Sequence, residues 1–443
     1  MAEAKRQLHL NVGLGASHAA GAWRRSCVDG VPTQEFEQDA EITRIAERAK
    51  LDAVFIADII ALHPGFARSE TFLEPVTLMS ALAAVTDRIG LIATVSTTYF
   101  EPYNLARQFA SLDLISGGRA GWNLVTTIFA DAARQFGSKP HPAHEDRYRD
   151  AEEFLEVVTK LWESWEDEAV IVDTESGVYV DPAKVHEIVH TGRLHQVAGP
   201  LNVRPSPQGH PVVMQAGASA TGAAFAARYA DAVFTTLQTL EQGQAYYADL
   251  KGQMARHGRE PSDLVILPSM TPVVGETEAK AKETREELLA LGPDLTSHFG
   301  TLNLILGRDV SDLPLDSRFP PIEIQEGGGG SQHAVTTLNA LVERDRMTVR
   351  DVLKWMATGG HRTIVGAPEQ IADDIEAWFR GKACDGFTLR PPDVRGFELF
   401  TESVIPELQR RGLFRTEYEG TTLREHYGLH RPRSRYSAEP QAP

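Results

Sequence analysis

The sequence is poor in cysteine and contains no long apolar run. Only two cysteines, Cys27 and Cys384, occur among 443 residues. This number excludes a disulfide framework, and their spacing does not suit a metal site. No stretch approaches the roughly 18 unbroken apolar residues of a transmembrane helix, and the N-terminus lacks the apolar core of a signal peptide. These shortages predict a cytoplasmic protein without a membrane partner.

Positive charge is also scarce. The chain carries 44 basic and 61 acidic residues, which gives a net charge of −17 at pH 7. Such a surface repels the phosphate backbone of nucleic acids and anionic lipids, so neither is expected as a partner. The net charge does not fix the sign of the potential inside a pocket.

A complete dinucleotide-binding fingerprint is the third absence. Gly13 and Gly15 follow the first predicted strand, but His18 stands where the third glycine is required. No helix opens directly afterwards. A redox enzyme without a nicotinamide site needs its electrons delivered by another protein.

What is present is an alternation of short apolar runs with segments of helical periodicity. The predicted strands are Leu8–Leu14, Ala53–Ala57, Ile89–Thr97, Arg119–Val125, Val212–Gln215, Ala232–Thr235, Leu264–Pro272 and Gly386–Leu389. Eight strand–helix units predict an α/β fold, a closed parallel (β/α)8 TIM barrel, with a doubly wound open sheet as the alternative. We expect a single barrel domain over residues 1–443, with insertions near 166–211 and 292–350 and a C-terminal wrapping tail at 402–443.

One long helix precedes the first insertion. Phe154, Val158 and Leu161 form its apolar stripe, and Asp150 and Glu153 resemble a capping box that would start it. In the second insertion, four consecutive glycines and two prolines exclude a regular element. Residues 320–335 are a candidate mobile cover for an active site, and a surface loop is the alternative.

Polar side chains close four consecutive predicted strands. His18 and Trp23 lie just past the first strand, Asp58 past the second, Thr94 near the end of the third and Asn123 near the end of the fourth. Active sites of such barrels collect at the C-terminal ends of the strands, so the set predicts a lined site. Taken one at a time, these residues are also compatible with ordinary loop packing.

Two further segments suggest contacts to an anion. In one, a strand passes through a Gly/Ala/Ser turn into a helix with Ser219 as N-cap, and free N–H groups at a helix N-terminus favour an anion. A plain capped helix start is the alternative. In the other, His144 and Tyr148 are four residues apart and share a face if the helix has begun there. His141 and Asp146 do not complete a metal site with His144, so no metal is predicted.

These segments together resemble a known family. The chain is similar to the nitrilotriacetate monooxygenase component A family in the sequences HAAGAWR, FIADIIALH, HEDRY, QAGAS and RTIVGAPEQIADDIEAWF, and in the block at residues 74–127. That family includes dibenzothiophene sulfone and long-chain alkane monooxygenases and lies within the bacterial luciferase-like superfamily. The similarity runs from about residue 8 to residue 429, is most specific at 74–127, and is lost around 292–335.

The resemblance implies a luciferase-like barrel that binds FMN at the C-terminal ends of its strands. Matched position by position, the FMN contacts are Asp58, Thr94, Asn123, His144, Tyr148, Ala218 and Ser219. Asn123 would sit beside the isoalloxazine ring. Reduced FMN from a separate NAD(P)H:flavin reductase would react with O2 to a C4a-peroxyflavin. This adduct would oxygenate a small substrate such as a sulfone, polyamino acid or alkane.

The catalytic group and the assembly are further expectations. His18 is the candidate acid–base group, because an imidazole titrates near neutrality. Trp23 and His63 are expected in the substrate pocket, and the chain is expected to form a homodimer or homotetramer.

Three alternatives to this function remain. A deazaflavin-dependent oxidoreductase on the same scaffold would transfer hydride and ignore O2. A flavin-binding homologue would be non-catalytic or emit light. A barrel lyase or aldolase would need a Schiff-base lysine at a strand end, and none is apparent. Oxygen uptake with reduced FMN separates the first hypothesis from the others.

Overall fold

The computed structural model describes residues 6–15, 21–25, 35–58, 60, 73–127, 130–137, 141–217, 219–323 and 332–436. Its strands are β1 His9–Gly13, β2 Ala53–Ile56, β3 Gly90–Ser96, β4 Ala120–Val125, β5 Val170–Asp173, β6 Val178–Val180, β7 Ile188–Thr191, β8 Gln196–Gly199, β9 Val212–Ala216, β10 Ala232–Thr235, β11 Val265–Val274, β12 Arg362–Gly366 and β13 Gly386–Leu389. Its α-helices are α1 Glu35–Arg48, α2 Pro75–Ala83, α3 Pro102–Ser116, α4 His144–Trp162, α5 Ala220–Tyr229, α6 Leu240–Met254, α7 Glu278–Leu291, α8 Phe299–Leu306, α9 Gln332–Asp345, α10 Val349–Ala357, α11 Pro368–Arg380, α12 Val394–Leu399, α13 Ile405–Arg410 and α14 Leu423–His426. Within this part of the chain, no helix is long and apolar enough to cross a membrane.

Eight parallel strands close into a barrel. Their order is β1-β2-β3-β4-β9-β10-β11-β13, and β13 pairs back onto β1. Every residue of β1, β2, β3 and β13 is buried, because helices cover the outside and side chains fill the inside. The predicted closed barrel is confirmed, and the open-sheet alternative is wrong.

Strand alternation decides which side chains enter the barrel. Phe55, Ile92 and Met214 pack together inside it, whereas their neighbours in sequence face the helices. Two residues beyond Ile92 on the same face comes Thr94, whose register partner on β4 is Asn123. The barrel interior is therefore apolar in its lower part and polar nearer the C-terminal ends of the strands.

The C-terminal tail closes the N-terminal end of the barrel. Leu423, Tyr427 and Leu429 pack against the inward-facing side chains of the strands. Gly90 and Gly121 leave the room that this insertion needs, since a Cβ at these positions would lie 2.5 Å from Leu423 Cδ1 and 3.1 Å from Leu423 Cδ2. The tail therefore fills the barrel as well as wrapping around it.

The first insertion contains two antiparallel hairpins, β5 with β6 and β7 with β8. Its strands are short and largely exposed, which explains the weak apolar periodicity of this segment. In the second insertion, α8, α9 and α10 share a separate apolar core around Leu302, Leu338 and Leu353. Residues 324–331 of the candidate cover at 320–335, including its four glycines, lie outside the described residues. The single-domain assignment stays a prediction.

The start of α4 and one strand differ from the sequence predictions. The capping-box prediction is wrong, because α4 begins at His144. Asp150 instead pairs with Arg193, and Glu153 accepts backbone N–H groups of the β7–β8 turn. The two acidic residues that resemble a local cap therefore make long-range contacts with the first insertion. β12, which was not predicted, pairs with the last five residues of β11 beyond the barrel.

Candidate functional site

Two of the predicted site residues form a hydrogen-bonded pair inside the barrel. Thr94 and Asn123 are only 3% and 2% exposed. The Thr94 hydroxyl donates to the carbonyl oxygen of Ile56 at 2.6 Å, so it accepts from Nδ2 of Asn123 at 2.8 Å. This relay fixes the orientation of the Asn123 amide and leaves its oxygen without a hydrogen-bond partner among the described residues. A buried acceptor in this state favours a ligand that brings an N–H group.

On β1, Asn11 has its amide oxygen paired and its amide nitrogen left, among the described residues, as an unpaired donor. The Tyr427 hydroxyl donates to Oδ1 of Asn11 at 2.9 Å, and Nδ2 of Asn11 has no partner in the described part of the chain. The register partner of Asn11 on β13 is Thr388, whose buried hydroxyl is likewise unpartnered there. Among the described residues, the barrel interior therefore holds an unpaired acceptor near the C-terminal ends of the strands and unpaired donors beside the tail residue Tyr427. The acceptor fits a planar heterocycle whose edge carries an N–H group, as the flavin ring does.

A second polar corner lies where β9 leads into α5. Ser219 is the N-cap of α5 and accepts from the backbone N–H of Gly222 at 3.1 Å. The Tyr148 hydroxyl hydrogen-bonds to Ser219, and burial raises the pKa of Tyr148, so this phenol stays protonated. A Cβ on Gly222 would lie 2.9 Å from the same hydroxyl, which explains the glycine. Backbone N–H groups and two hydroxyls at a helix N-terminus fit the phosphate of FMN.

A cation lies next to this corner. Arg147 precedes Tyr148 on α4, is 8% exposed and lowers the pKa of the tyrosine, although less than burial raises it. Arg147 hydrogen-bonds to one ring nitrogen of His141, and the other ring nitrogen bonds to the Tyr99 hydroxyl at 2.9 Å. Burial and the neighbouring Arg147 both lower the pKa of His141, so this imidazole is neutral near pH 7. Sequence reasoning missed Arg147, although it lies within the HEDRY segment.

The other predicted residues are placed only in part. Asp58 lies two residues beyond the end of β2 and is half-buried. Trp23 belongs to the short 3-10 helix Ala22–Arg25 and His144 begins α4, but their side chains lie outside what the structure describes. His18, His63 and Ala218 lie outside the described residues altogether. The roles of all these residues stay predictions.

Sequence reasoning also missed a histidine at the C-terminal rim. His361 follows Gly359 and Gly360, whose φ angles of 78° and 72° lie in the left-handed region and turn the chain from α10 into β12. Its Nδ1 lies 2.7 Å from Oγ of Ser269, and its ring meets Phe234 edge-on. Phe234 packs inside the barrel, and Ser269 shares its face with Leu267 of the same interior cluster. The available signal was a Gly-Gly-His turn directly before an apolar β-branched run.

Comparisons with known proteins agree with this geometry. The family model described as luciferase-like monooxygenase matches residues 15–383. N-acetyl-S-(2-succino)cysteine monooxygenase of Bacillus subtilis (strain 168) is 43% identical over 444 residues, which cover 99% of this chain and 100% of that protein. Nitrilotriacetate monooxygenase component A of Aminobacter aminovorans is 44% identical over 429 residues, 94% of each chain.

A solved structure extends the likeness to the fold and the cofactor. The structure of riboflavin lyase with a modified FMN and riboflavin superposes with a TM-score of 0.85 at 32% identity and covers 96% of each chain. The predicted family and enzyme class are confirmed, as is the use of a flavin at the coarse level that the family implies. The chain belongs to the luciferase-like monooxygenase family.

Proposed function

We propose that the chain is the oxygenase of a two-component system. In this proposal it binds reduced FMN from a separate NAD(P)H:flavin reductase and uses O2 to oxygenate a small organic molecule such as a sulfone, polyamino acid or alkane. The observation that carries the proposal is the Thr94–Asn123 relay, because it holds an unpaired acceptor inside a buried barrel wall. When bound, reduced FMN would supply the electrons that activate O2.

The ring end of the cofactor site would be orientation-selective. Asn123 keeps its amide oxygen unpaired within the described part of the chain, and the hydrogen bond from its nitrogen to Thr94 fixes which side of the amide the oxygen occupies. It would therefore accept from a flavin ring N–H. The relay ends on a strand carbonyl and leaves little freedom for the amide to turn over.

The phosphate end would be held by Ser219, Tyr148 and Arg147. Ser219 contributes the N-terminus of α5, Tyr148 a protonated hydroxyl, and Arg147 a positive charge that the acidic surface of the chain does not supply. Hydrogen bonds with one charged partner are roughly twice as strong as neutral ones, so this corner should dominate FMN affinity. Ala218, His144 and Asp58 would add contacts as the family resemblance implies.

The N-terminal end of the barrel would exclude water, and residues at the C-terminal rim would hold the proton that the reaction needs. Leu423, Tyr427 and Leu429 fill the lower end among the described residues, so solvent would reach the site from the rim. At the rim, His361 is oriented by Ser269 and would hold a proton beside the substrate, together with the predicted acid–base residue His18. Trp23 and His63 would line the substrate side of the same opening.

The test is oxygen uptake with controlled delivery of reduced flavin. Uptake and substrate oxygenation should require FMN, NADH and an added flavin reductase together, and reduced FMN should bind more tightly than oxidised FMN. Candidate substrates should be ranked by how far they suppress the release of hydrogen peroxide. Turnover with NADH and FMN but no reductase would contradict the two-component arrangement. Hydride transfer from a reduced deazaflavin without O2 consumption would instead support the alternative enzyme.

The cellular setting is part of the same proposal. A cytoplasmic location would place the chain beside the NAD(P)H pool that its reductase needs. A homodimer or homotetramer is proposed as its assembly, and sedimentation velocity of the purified chain would measure it.

A further inference from the structure

A cavity lies beside the rim, under helix α7. β11 continues four residues past Met270, the last residue that pairs with β13, and its last five residues pair with β12. This extension, the C-terminal half of α7, the end of α10 and the Leu295–His298 turn enclose about 490 Å³ of space, part of it open to solvent. We call it the α7 cavity. Its walls include Val273, Leu288, Leu289 and Ala357, so it is mainly apolar.

Two buried polar atoms face this space. Thr271 and His298 line the cavity and are 4% and 5% exposed. The hydroxyl of Thr271 and Nε2 of His298 have no hydrogen-bond partner within the described ranges. Leaving two buried polar atoms unpaired costs free energy, and a ligand carrying one complementary group would recover it.

Among the described residues, no buried charge lines the cavity. Burial lowers the pKa of His298, so its imidazole is neutral near pH 7. The described lining residues include no carboxylate and one cation, Arg285, whose side chain is 43% exposed and pairs with Glu286 at 3.4 Å. A charged group inside would have no partner, whereas an anion at the mouth would meet Arg285.

The cavity adjoins the proposed active site. Thr271 follows Ser269 by two residues on the same face of β11, and Ser269 orients His361. Opposite Thr271 on β12 is Thr363, two residues beyond His361 and also part of the cavity wall. A molecule that reaches from the barrel mouth past His361 would therefore enter this space.

We propose that the α7 cavity is a substrate subsite that takes an uncharged, apolar arm of the substrate. Thr271 and His298 hydrogen-bond one hydroxyl, carbonyl or ether-type group on that arm, and an acidic group of the same molecule stays at the mouth beside Arg285. The name "substrate subsite" rests on the proposed monooxygenase function. The prediction that the cavity binds an uncharged, apolar group does not depend on that function.

The first experiment measures binding of small probes to the full-length, FMN-free protein by ligand-observed NMR. Benzyl alcohol and toluene should bind, and benzylammonium should bind at least about tenfold more weakly because its charge is unpaired. Thr271→Val should raise the Kd of benzyl alcohol about two- to tenfold and leave that of toluene nearly unchanged. Thr284→Val, the same change on α7 away from the cavity, should alter neither value.

A filling variant tests the location. Ala357→Phe should remove binding of both neutral probes, whereas Ala290→Phe on the exposed side of α7 should preserve it. Undiminished benzyl alcohol binding in Ala357→Phe would overturn the proposal, as would equal losses for benzyl alcohol and toluene in Thr271→Val. Because Thr271→Val is nearly isosteric, its result remains decisive even if Ala357→Phe does not fold.

Oxygen uptake with reductase-supplied FMN separates this proposal from the proposed function. If the native protein consumes O2 but binds none of the probes, the subsite is wrong and the monooxygenase stands. If it binds the probes as expected but consumes no O2 with reduced FMN, the cavity stands as a binding site and the proposed function fails.

Discussion

Two buried polar side chains of the barrel, Asp52 and Asn123, differ in how far their hydrogen-bonding capacity is used. At the N-terminal end, Asp52 is fully buried and is satisfied by Arg415, by the His9 ring at 3.0 Å and by the N–H of Leu10 at 2.7 Å. Farther along the barrel, Asn123 is equally buried and keeps an unpaired oxygen. A saturated polar group holds the fold together, whereas an unsaturated one retains its bonding capacity for a ligand.

Buried arginines differ in the same respect, but not according to the end of the barrel, since Nε of Arg415 beside Asp52 also has no partner among the described residues. Near the N-terminal end, Arg119 is 2% exposed and donates five hydrogen bonds, two of them to Thr86. Arg424 of the tail pairs with Asp231 at the start of β10 at 2.8 Å. Arg147, next to the proposed phosphate site, has a buried Nε without a partner in the described part of the protein. Its bonding is incomplete where a phosphate is expected.

Replacing Asp52, whose carboxylate is fully hydrogen-bonded, should have the largest effect on stability. Asp52→Asn removes the charge that compensates Arg415, whose side chain is 6% exposed, and should lower the free energy of unfolding by about 3–5 kcal/mol. Urea unfolding measures the loss. Asp316→Asn, which breaks an exposed pair with Arg350, is the matched control and should leave the free energy of unfolding nearly unchanged. Equal losses of unfolding free energy in the two variants would contradict a special role for the buried Asp52–Arg415 pair.

The pH dependence of Asp52 follows from the same contacts. Burial alone would raise the pKa of Asp52, but Arg415 and His9 outweigh it and lower the pKa below 3.8. The stabilisation is therefore present above the unfolded-state pKa near 4 and is lost as the pH falls through the lower folded-state value. Asp52→Asn should remove this part of the acid sensitivity.

Asp113 is a second buried carboxylate near the N-terminal end of the barrel, and its pKa is shifted in the opposite direction. Burial raises the pKa of Asp113 to about 6, although Gln208 at 2.6 Å and Ser206 donate hydrogen bonds to it. Because the folded-state pKa exceeds the unfolded value, its contribution is complete below about pH 4 and declines as the pH rises through 6, by about 3 kcal/mol. Unfolding free energies of the native chain and Asp113→Asn at pH 4, 5, 6 and 7 measure the difference. A difference that does not change with pH would refute the raised pKa.

At the proposed FMN site, mutations should change ligand affinity more than stability. Ser219→Ala with Tyr148→Phe removes two hydrogen bonds worth about 0.5–1.5 kcal/mol each, and more if they are charge-assisted. The Kd of FMN should rise about five- to 150-fold. Ser219 is also an N-cap, so the double variant should lose about 1 kcal/mol of stability. Thr277→Ala removes the N-cap of α7 in the same way and should leave FMN affinity unchanged. Unaltered FMN affinity in the double variant would place the phosphate elsewhere.

The sequence predicts local features of the fold and the site better than contacts between distant residues. The eight barrel strands could be predicted because strands buried on both faces produce continuous apolar runs. The N-cap Ser219 could be predicted because capping depends on neighbours within one helical turn. The Asp52–Arg415 pair and the Ser269–His361 contact join residues 363 and 92 positions apart, so no local pattern announces them. Asp150 shows the reverse error, since its apparent capping pattern serves a contact with Arg193.

The smallest expected effect concerns the orientation of His361. Ser269→Ala removes the 2.7 Å contact to Nδ1, so the ring can turn about its side-chain bonds and its proton is less well placed. We expect a kcat about two- to tenfold lower, more hydrogen peroxide per product, and an FMN Kd that stays within about twofold, because the hydrogen bond is worth about 0.5–1.5 kcal/mol. Ser164→Ala is the control: it removes an equally buried hydroxyl that donates to the Leu161 carbonyl and accepts from the Leu201 N–H, away from the barrel interior. Similar stability losses with a kinetic change only in Ser269→Ala would make Ser269 a positioning residue. Identical kinetics in the two variants would return His361 to an ordinary packed side chain.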